Sequence, residues 1–298
     1  MGFVTASAER SAPVLPVSHP APTILVFDSG VGGLSVFREV AHARPDAHFI
    51  YAADDAGFPY GGLSDQALVA RVDEVVGRLI AATGPSLVVI ACNTASTVVL
   101  PSLRARYGLP FVGTVPAVKP ACAASASGRV SILATPGTVR RDYTAGLIRQ
   151  FAARCEVTLV PSVHLAALAE AALAGAAVAD DAIRAEIAPC FVDRDGQRTD
   201  TVVLACTHYP LLLDRLERVA PWPVAWVDPA PAIARRVIQL LGPAPADGDR
   251  AMPVRVVSTG RALDGARVAA VIGRAVEPPR VLGAMPAEGL AHAGFRFA

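Results

Sequence analysis

Runs of aliphatic and β-branched residues recur along the chain, each ending in a turn and most followed by a stretch with helical spacing. TILVF (23–27) leads through a glycine turn to LSVFREVAHA (34–43). HFIYAAD (48–54) leads through a Pro/Gly loop to SDQALVARVDEVVGRLIAA (64–82), for which Ser64 is the expected N-cap. SLVVIA (86–91) follows the Gly84-Pro85 punctuation. Further runs are FVGTV (111–115), RVSILAT (129–135), EVTLVPS (156–162), TVVLAC (201–206), VAWVD (224–228) and VRVVSTG (254–260). Short apolar runs separated by helical patterns predict right-handed βαβ units and parallel sheets covered on both faces, an α/β fold.

In such sheets a ligand binds beyond the carboxyl ends of the strands. Polar groups stand at those ends repeatedly: Asp28-Ser29-Gly30, Cys92-Asn93-Thr94, Thr135-Pro136-Gly137-Thr138 and Cys206-Thr207-His208. LVVIACNTAS (87–96) is echoed by TVVLACTHYP (201–210), which predicts two related α/β halves facing each other across a cleft. The expected division is a leader over 1–21, a first domain from 22–115 plus 224–276, a second over 116–223, and a flexible tail over 277–298.

The two cysteine phrases carry the chemistry. One buried cysteine at a strand end is ordinarily a small core hydrophobe, and Cys122, Cys155 and Cys190 take that reading. Cys92 and Cys206 differ, because polar residues follow each of them where a helix should start. A helix N-terminus there would lower a thiol from about 8.5 towards neutrality. Two equivalent thiols on opposing walls suit a reaction with mirror symmetry, in which one removes a proton and the other delivers one to the opposite face. His208, two residues after Cys206, is expected to tune that proton transfer. As half of a zinc site, Cys-x-His would lack two further ligands at metal spacing.

FDSGVGGLSV (27–36) fails as a nucleotide loop: Ser35 stands where a third glycine is needed, and no Lys-Ser/Thr follows. Asp28 would repel a phosphate but suits an ammonium group, while Ser29 and nearby amides can receive a carboxylate. Both charges together describe an amino acid. In DDAGFPYGG (54–62), Tyr60 is a hydrogen-bonding handle between Pro59 and Gly61.

The chain has 298 residues, 53% of them hydrophobic and 18% charged, which is enough for a large folded core. A net charge of +1 removes the electrostatic case for nucleic acid or acidic lipid as the main partner. Five scattered cysteines argue against a disulfide framework and for reduced, cytoplasmic thiols. The first 20 residues lack a continuous apolar signal region. The Ala-rich stretch 165–179, interrupted by Glu170, is too short to span a membrane.

DSGVGGLSV, PYG, ACNTAS, GTVPAVKPA, ATPGTV and LACTHYPLL, in this order, closely resemble the cofactor-independent glutamate racemases of the aspartate/glutamate racemase superfamily. The resemblance runs from about Ile24 to Arg274 and implies two pseudo-symmetric domains with the active site between them. It makes Cys92 and Cys206 the acid/base pair, with Cys206 acting on the L-isomer and Cys92 on the D-isomer, assisted by Asp28 and His208. It pairs Asp28-Ser29, Tyr60-Gly61, Asn93-Thr94 and Thr207-His208 with the substrate, and places the hydroxyls of Thr135 and Thr138 at its carboxylate. It further implies D-glutamate for peptidoglycan, no metal, no pyridoxal phosphate or other cofactor, and a homodimer. The alternatives are a racemase for aspartate or another amino acid, a decarboxylase or cis–trans isomerase on the same fold, or a non-catalytic regulatory protein. Intact cysteines at both strand ends argue against the last.

Two positions depart from the family pattern. Asp55 stands where threonine is common, and His164 where relatives usually carry a glutamate supporting the second cysteine. The expectation for His164 is either plain packing or takeover of that support for His208 or Cys206.

Overall fold

The computed structural model describes residues 21–245 and 252–284. The leader expected over 1–21 therefore lies almost wholly outside the described residues. In chain order the first half runs β1 (Thr23–Asp28), α1 (Leu34–Ala43), β2 (His48–Ala53), α2 (Asp65–Thr83), β3 (Leu87–Ile90), α3 (Asn93–Arg106) and β4 (Phe111–Gly113). Next come α4 (Val118–Ala124), β5 (Arg129–Ala134), α5 (Pro136–Val139), α6 (Asp142–Phe151), β6 (Glu156–Pro161), α7 (Leu165–Leu173) and α8 (Asp180–Ile187). A small hairpin, β7 (Asp193–Arg194) and β8 (Gln197–Arg198), precedes β9 (Thr201–Ala205), α9 (Leu213–Val219) and β10 (Ala225–Val227). The chain closes with α10 (Ala230–Leu241), β11 (Arg255–Ser258), α11 (Gly265–Ile272) and β12 (Arg280–Val281).

These strands form a six-stranded sheet in the order β12-β11-β2-β1-β3-β4 and a four-stranded sheet in the order β10-β9-β5-β6. Every pairing within both is parallel. Side chains of a strand alternate between faces, and both faces here are dry. Ile24 and Val26 join one core cluster with Phe37 and Val40 of α1, while Leu25 and Phe27 join another with Leu68 and Leu79 of α2. The second sheet repeats this: Val202 and Leu204 face α7 and α8, and Val203 and Ala205 face α4 and α6. Each fully buried aliphatic or phenyl side chain contributes about 1.5–3 kcal/mol, which explains the near-continuous apolar runs.

Local signals behave as their chemistry dictates. The Ser64 hydroxyl caps α2 by accepting the Ala67 amide at 3.3 Å, and α2 stops at Gly84 in the left-handed region.

Two boundaries differ from expectation. The expected first domain includes 224–276, yet β10 pairs with β9 in the second sheet, in register Trp226 to Val202. The chain returns to the first sheet only with α10, which packs on α1. The tail expected over 277–298 is in part built in: β12 pairs with β11, and Leu282 is buried in the core beside α2. Apolar burial and backbone pairing hold this segment, and residues 285–298 lie outside the described residues. Among the described residues no helix is long and apolar enough to cross a membrane.

Candidate active site

Each cysteine stands one or two residues beyond the end of an interior strand, Cys92 after β3 and Cys206 after β9. Both are buried, at 5% and 7% exposure. The two sheets meet through these tips. The Ser35 hydroxyl donates to the Thr207 carbonyl at 2.9 Å, and the Thr207 hydroxyl donates to Asp28 Oδ1 at 3.4 Å.

Asp28 is fully buried and closes the turn after β1, its Oδ2 accepting the amides of Gly30 at 3.2 Å and Gly33 at 2.9 Å. Burial raises its carboxyl above the ordinary value, against the pull of His208 and these two amides. The turn is glycine-rich because the partner side packs directly on it. A Cβ on Gly32 would overlap the His208 ring.

Cys92 is the residue at the N-terminus of α3, and its thiol lies 3.7 Å from the Ser29 hydroxyl. The expected lowering of this thiol is overturned. Burial raises it well above the ordinary value, the Asp28 charge adds to the rise, and the Ala95 amide of the helix start does not offset them. Desolvation of an anion outweighs a terminal dipole in a dry site. The neighbouring Cys206 contributes to the same rise, so the two sulfurs sit within electrostatic reach.

The Cys206 side is built differently. His208 is 2% exposed, with Nδ1 3.7 Å from Cys206 Sγ and Nε2 2.8 Å from Glu170 Oε1. Burial disfavours its charge, but hydrogen bonds to Cys206 and Glu170 win, and the imidazole is raised well above its ordinary value. Burial likewise opposes the Glu170 charge, and the His208 contact together with the Val31 amide at 2.8 Å holds that carboxyl below its ordinary value. The ring of Phe58 covers His208, centroids 5.4 Å apart.

Glu170, and not His164, therefore gives His208 the support that one of the two readings of His164 assigned to it. His164 starts α7 on the surface, where its amide donates to Glu186, and it reaches neither His208 nor Cys206. Glu170 lies six residues further, at the carboxylate-bearing position of α7. The signal was present: Glu170 is the sole charge in the stretch 165–179.

The threonines come together across the sheets. Thr94 Oγ1 lies 2.9 Å from Thr135 Oγ1 and 3.3 Å from Thr138 Oγ1. Thr135 also caps α5 through the Thr138 amide. Gly61 abuts Thr135 and Gly137. The Tyr60 hydroxyl, read above as a handle for a ligand, is committed elsewhere: it donates to Asp54. Fully buried Asp54 also accepts Arg71 Nε at 2.6 Å, Arg71 Nη2 at 2.7 Å and the Thr259 hydroxyl at 2.6 Å. Asp54 and Arg71 gave no motif to read, since their meaning depends on this convergence. Asn93 is 2% exposed, and neither atom of its amide has a partner among the described residues. A buried, unpaired amide in a polar cleft is chemically suited to a polar ligand.

Cys190 is fully buried, while Cys122 and Cys155 touch each other away from this cleft, Cys155 Sγ lying 3.5 Å from the Cys122 carbonyl. Among the described residues no three His, Cys, Asp or Glu side chains are grouped to hold a metal.

A family model described as Asp/Glu/hydantoin racemase matches residues 28–237. Glutamate racemase of Brucella canis is 57% identical over 240 residues, covering 80% of this chain and 86% of that protein. The structure of Escherichia coli glutamate racemase, solved with L-glutamate and the activator UDP-MurNAc-Ala, superposes with a TM-score of 0.78 at 42% identity, covering 88% of this chain and 98% of that one. Glutamate racemase of Thermus thermophilus, solved with β-chloro-D-alanine, gives a TM-score of 0.67 at 30% identity, covering 89% of this chain and 98% of that one. With paired thiols at facing strand ends and this extent of similarity, the chain belongs to the Asp/Glu/hydantoin racemase family and is a racemase, an isomerase.

Proposed function

We propose that the chain interconverts L- and D-glutamate by proton transfer at Cα between Cys92 and Cys206, without a cofactor. The observation that carries this is the pairing of two buried thiols on the tips of different sheets, with threonine hydroxyls and an unpaired amide between the halves. The substrate assignment rests on relatives bearing the glutamate racemase name, one at 57% identity.

The two sides differ in a way that suits their tasks. Cys92, held as the neutral thiol by burial and Asp28, is ready to donate a proton. Cys206 has the His208–Glu170 pair behind it, which supplies a cationic neighbour when the sulfur carries charge. In the L-to-D direction Cys206 removes the Cα proton and Cys92 delivers one to the other face; the D-to-L direction reverses the roles. Asp28 and His208 assist the two thiols. Ser29, the backbone of Tyr60-Gly61, Asn93-Thr94, Thr135, Thr138 and Thr207 hold the ammonium and carboxylate groups. Donors fixed in a closed site stabilise the carbanion-like transition state more strongly than water would. D-Glutamate for peptidoglycan, a cytoplasmic location and a homodimer complete the proposal.

The test measures racemisation of glutamate and of aspartate with no cofactor added, in heavy water, for the wild type and the Cys92→Ser and Cys206→Ser variants. Loss of a positioned acid or base costs about 10²–10⁴-fold. Each variant is expected to lose racemisation to that extent, with glutamate preferred over aspartate by the wild type. Full racemisation by both variants would end the two-thiol reading, and a preference for aspartate would replace the substrate.

A further inference from the structure

Asp55 and Arg261 have no part in the proton-transfer pair. The half-buried Asp55 carboxylate faces the loop that follows β11. Its Oδ1 accepts the amides of Thr259 at 3.0 Å and Gly260 at 2.7 Å, and its Oδ2 accepts the Arg261 amide at 3.0 Å. A Cβ on Gly260 would stand 2.7 Å from Oδ2, so glycine is what lets the carboxylate come this close. Asp54 holds the Thr259 side chain of the same turn. Adjacent aspartates therefore pin this loop to the segment that carries Tyr60.

What the pinned loop presents is Arg261. Its side chain is exposed, and its guanidinium makes no hydrogen bond or ion pair among the described residues. It lies near Glu170, where its charge helps keep that carboxylate ionised. Two surface clefts, of about 310 and 450 Å³, share Arg261 and Glu170 in their walls. The larger also touches Phe58, the ring that covers His208. The cleft walled by Arg261 thus reaches Phe58 and Glu170, both of which touch His208.

Arg261 is the cation at this mouth whose guanidinium has no direct partner among the described residues. Glu170 is paired with His208, Arg267 with Asp264 at 3.0 Å, and the Asp55 charge is met by three amides. Glu170 already has two hydrogen-bond partners and does not need Arg261 to stay in place. A loop that only had to be anchored would need no cation at its tip. A planar guanidinium, weakly hydrated and able to bind a carboxylate through two N–H groups, is suited to catching an anion in passing.

We propose that Arg261 recruits the dicarboxylic amino acid at the mouth of the cleft by binding one of its carboxylates before it reaches the thiols, and that Asp55 is the positioning residue that holds Arg261 there. The proposal rests on the glutamate reading above.

The experiment is steady-state racemisation of glutamate by the full chain and by Arg261→Ala, Arg261→Lys, Arg261→Glu and Asp55→Ala variants, across salt concentrations. Local charge of one sign raises the encounter of an oppositely charged ligand by tenfold or more, and salt screens the effect. Arg261→Ala is expected to raise KM about tenfold while kcat falls less than about twofold. Arg261→Glu raises KM further, Arg261→Lys restores most of the loss, and Asp55→Ala gives part of it. Wild-type kcat/KM falls as salt rises from about 20 to about 300 mM, and Arg261→Ala removes most of that dependence. An unchanged KM in Arg261→Ala, or a loss that falls on kcat alone, overturns recruitment while leaving the glutamate reading intact. A wild type that does not turn over glutamate overturns both.

Discussion

Cys92 and Cys206 are the same residue in unlike surroundings, and burial is what separates them. On the first side a dry pocket and the Asp28 charge favour the thiol over the thiolate. On the second, hydrogen bonds to Cys206 and to the Glu170 carboxylate at 2.8 Å raise a buried imidazole above its ordinary value. His208 is raised above its ordinary value of 6.5, so its contribution to stability is complete below that value and is lost as pH rises through the raised one. Glu170 is lowered from 4.5, so its contribution is present above that value and is lost as pH falls through the lowered one. The pair thus stabilises the fold from above about pH 4.5 upward, until His208 loses its proton. Replacing Glu170 by Gln removes one of the groups that raise His208. The imidazole titration, followed by NMR, is expected to move to lower pH in Glu170→Gln, and the alkaline limb of kcat/KM with it. With His208 no longer oriented, kcat falls by about tenfold or more. An unmoved alkaline limb would remove His208 from the proton chemistry.

Among the elements, the strands of the two central sheets were legible because parallel sheets bury both faces and leave continuous apolar runs. The hairpin β7–β8 is hidden in the sequence, since DRDGQR has no apolar alternation, although Asp195-Gly196, both at positive φ, is a hairpin turn signal. The partner of β10 was equally hidden: three residues in AWV carry no mark of which sheet they join. Asp54 shows how elements become coupled. It gathers the end of β2, the turn bearing Tyr60, Arg71 on α2 and the loop after β11. Arg71 is a third exposed and can turn to water, but loss of the Asp54 carboxylate leaves the Tyr60 and Thr259 hydroxyls without their acceptor, at a cost of about 1–3 kcal/mol. Asp54→Ala is expected to lose that much stability in urea denaturation and to raise KM, because Gly61 no longer meets Thr135 and Gly137. Wild-type stability would show that Tyr60 and Thr259 find other partners.

At the scale of the whole molecule, function depends on how the two sheets are held together. Arg141, just ahead of α6, donates to Asp65 at 2.9 Å, to the Thr94 carbonyl at 3.1 Å and to the Thr97 hydroxyl at 3.2 Å. Arg140 reaches the Gly61 carbonyl at 3.3 Å. These bonds tie the segment ahead of α6 to α3, the helix that begins after Cys92, and to the Gly61 turn. A displacement of about 1 Å between reacting groups costs about a hundredfold in rate. Arg141→Ala is expected to speed amide exchange over 93–97 and to lower kcat/KM about tenfold, with the urea midpoint little changed. Retained kcat/KM would mean that other contacts suffice to close the cleft.

The sequence by itself determined the α/β architecture and the placing of Cys92 and Cys206 with polar residues at strand tips, because apolar runs and the polar residues that end them are local properties. The tertiary structure decided the rest. That Glu170 and not His164 backs His208, that the Tyr60 hydroxyl is spent on Asp54, and that Cys92 is raised rather than lowered all follow from contacts between distant segments. Burial depth and charge placement arise only when those segments pack, and in a dry cleft they outweigh what a residue's neighbours in sequence would dictate.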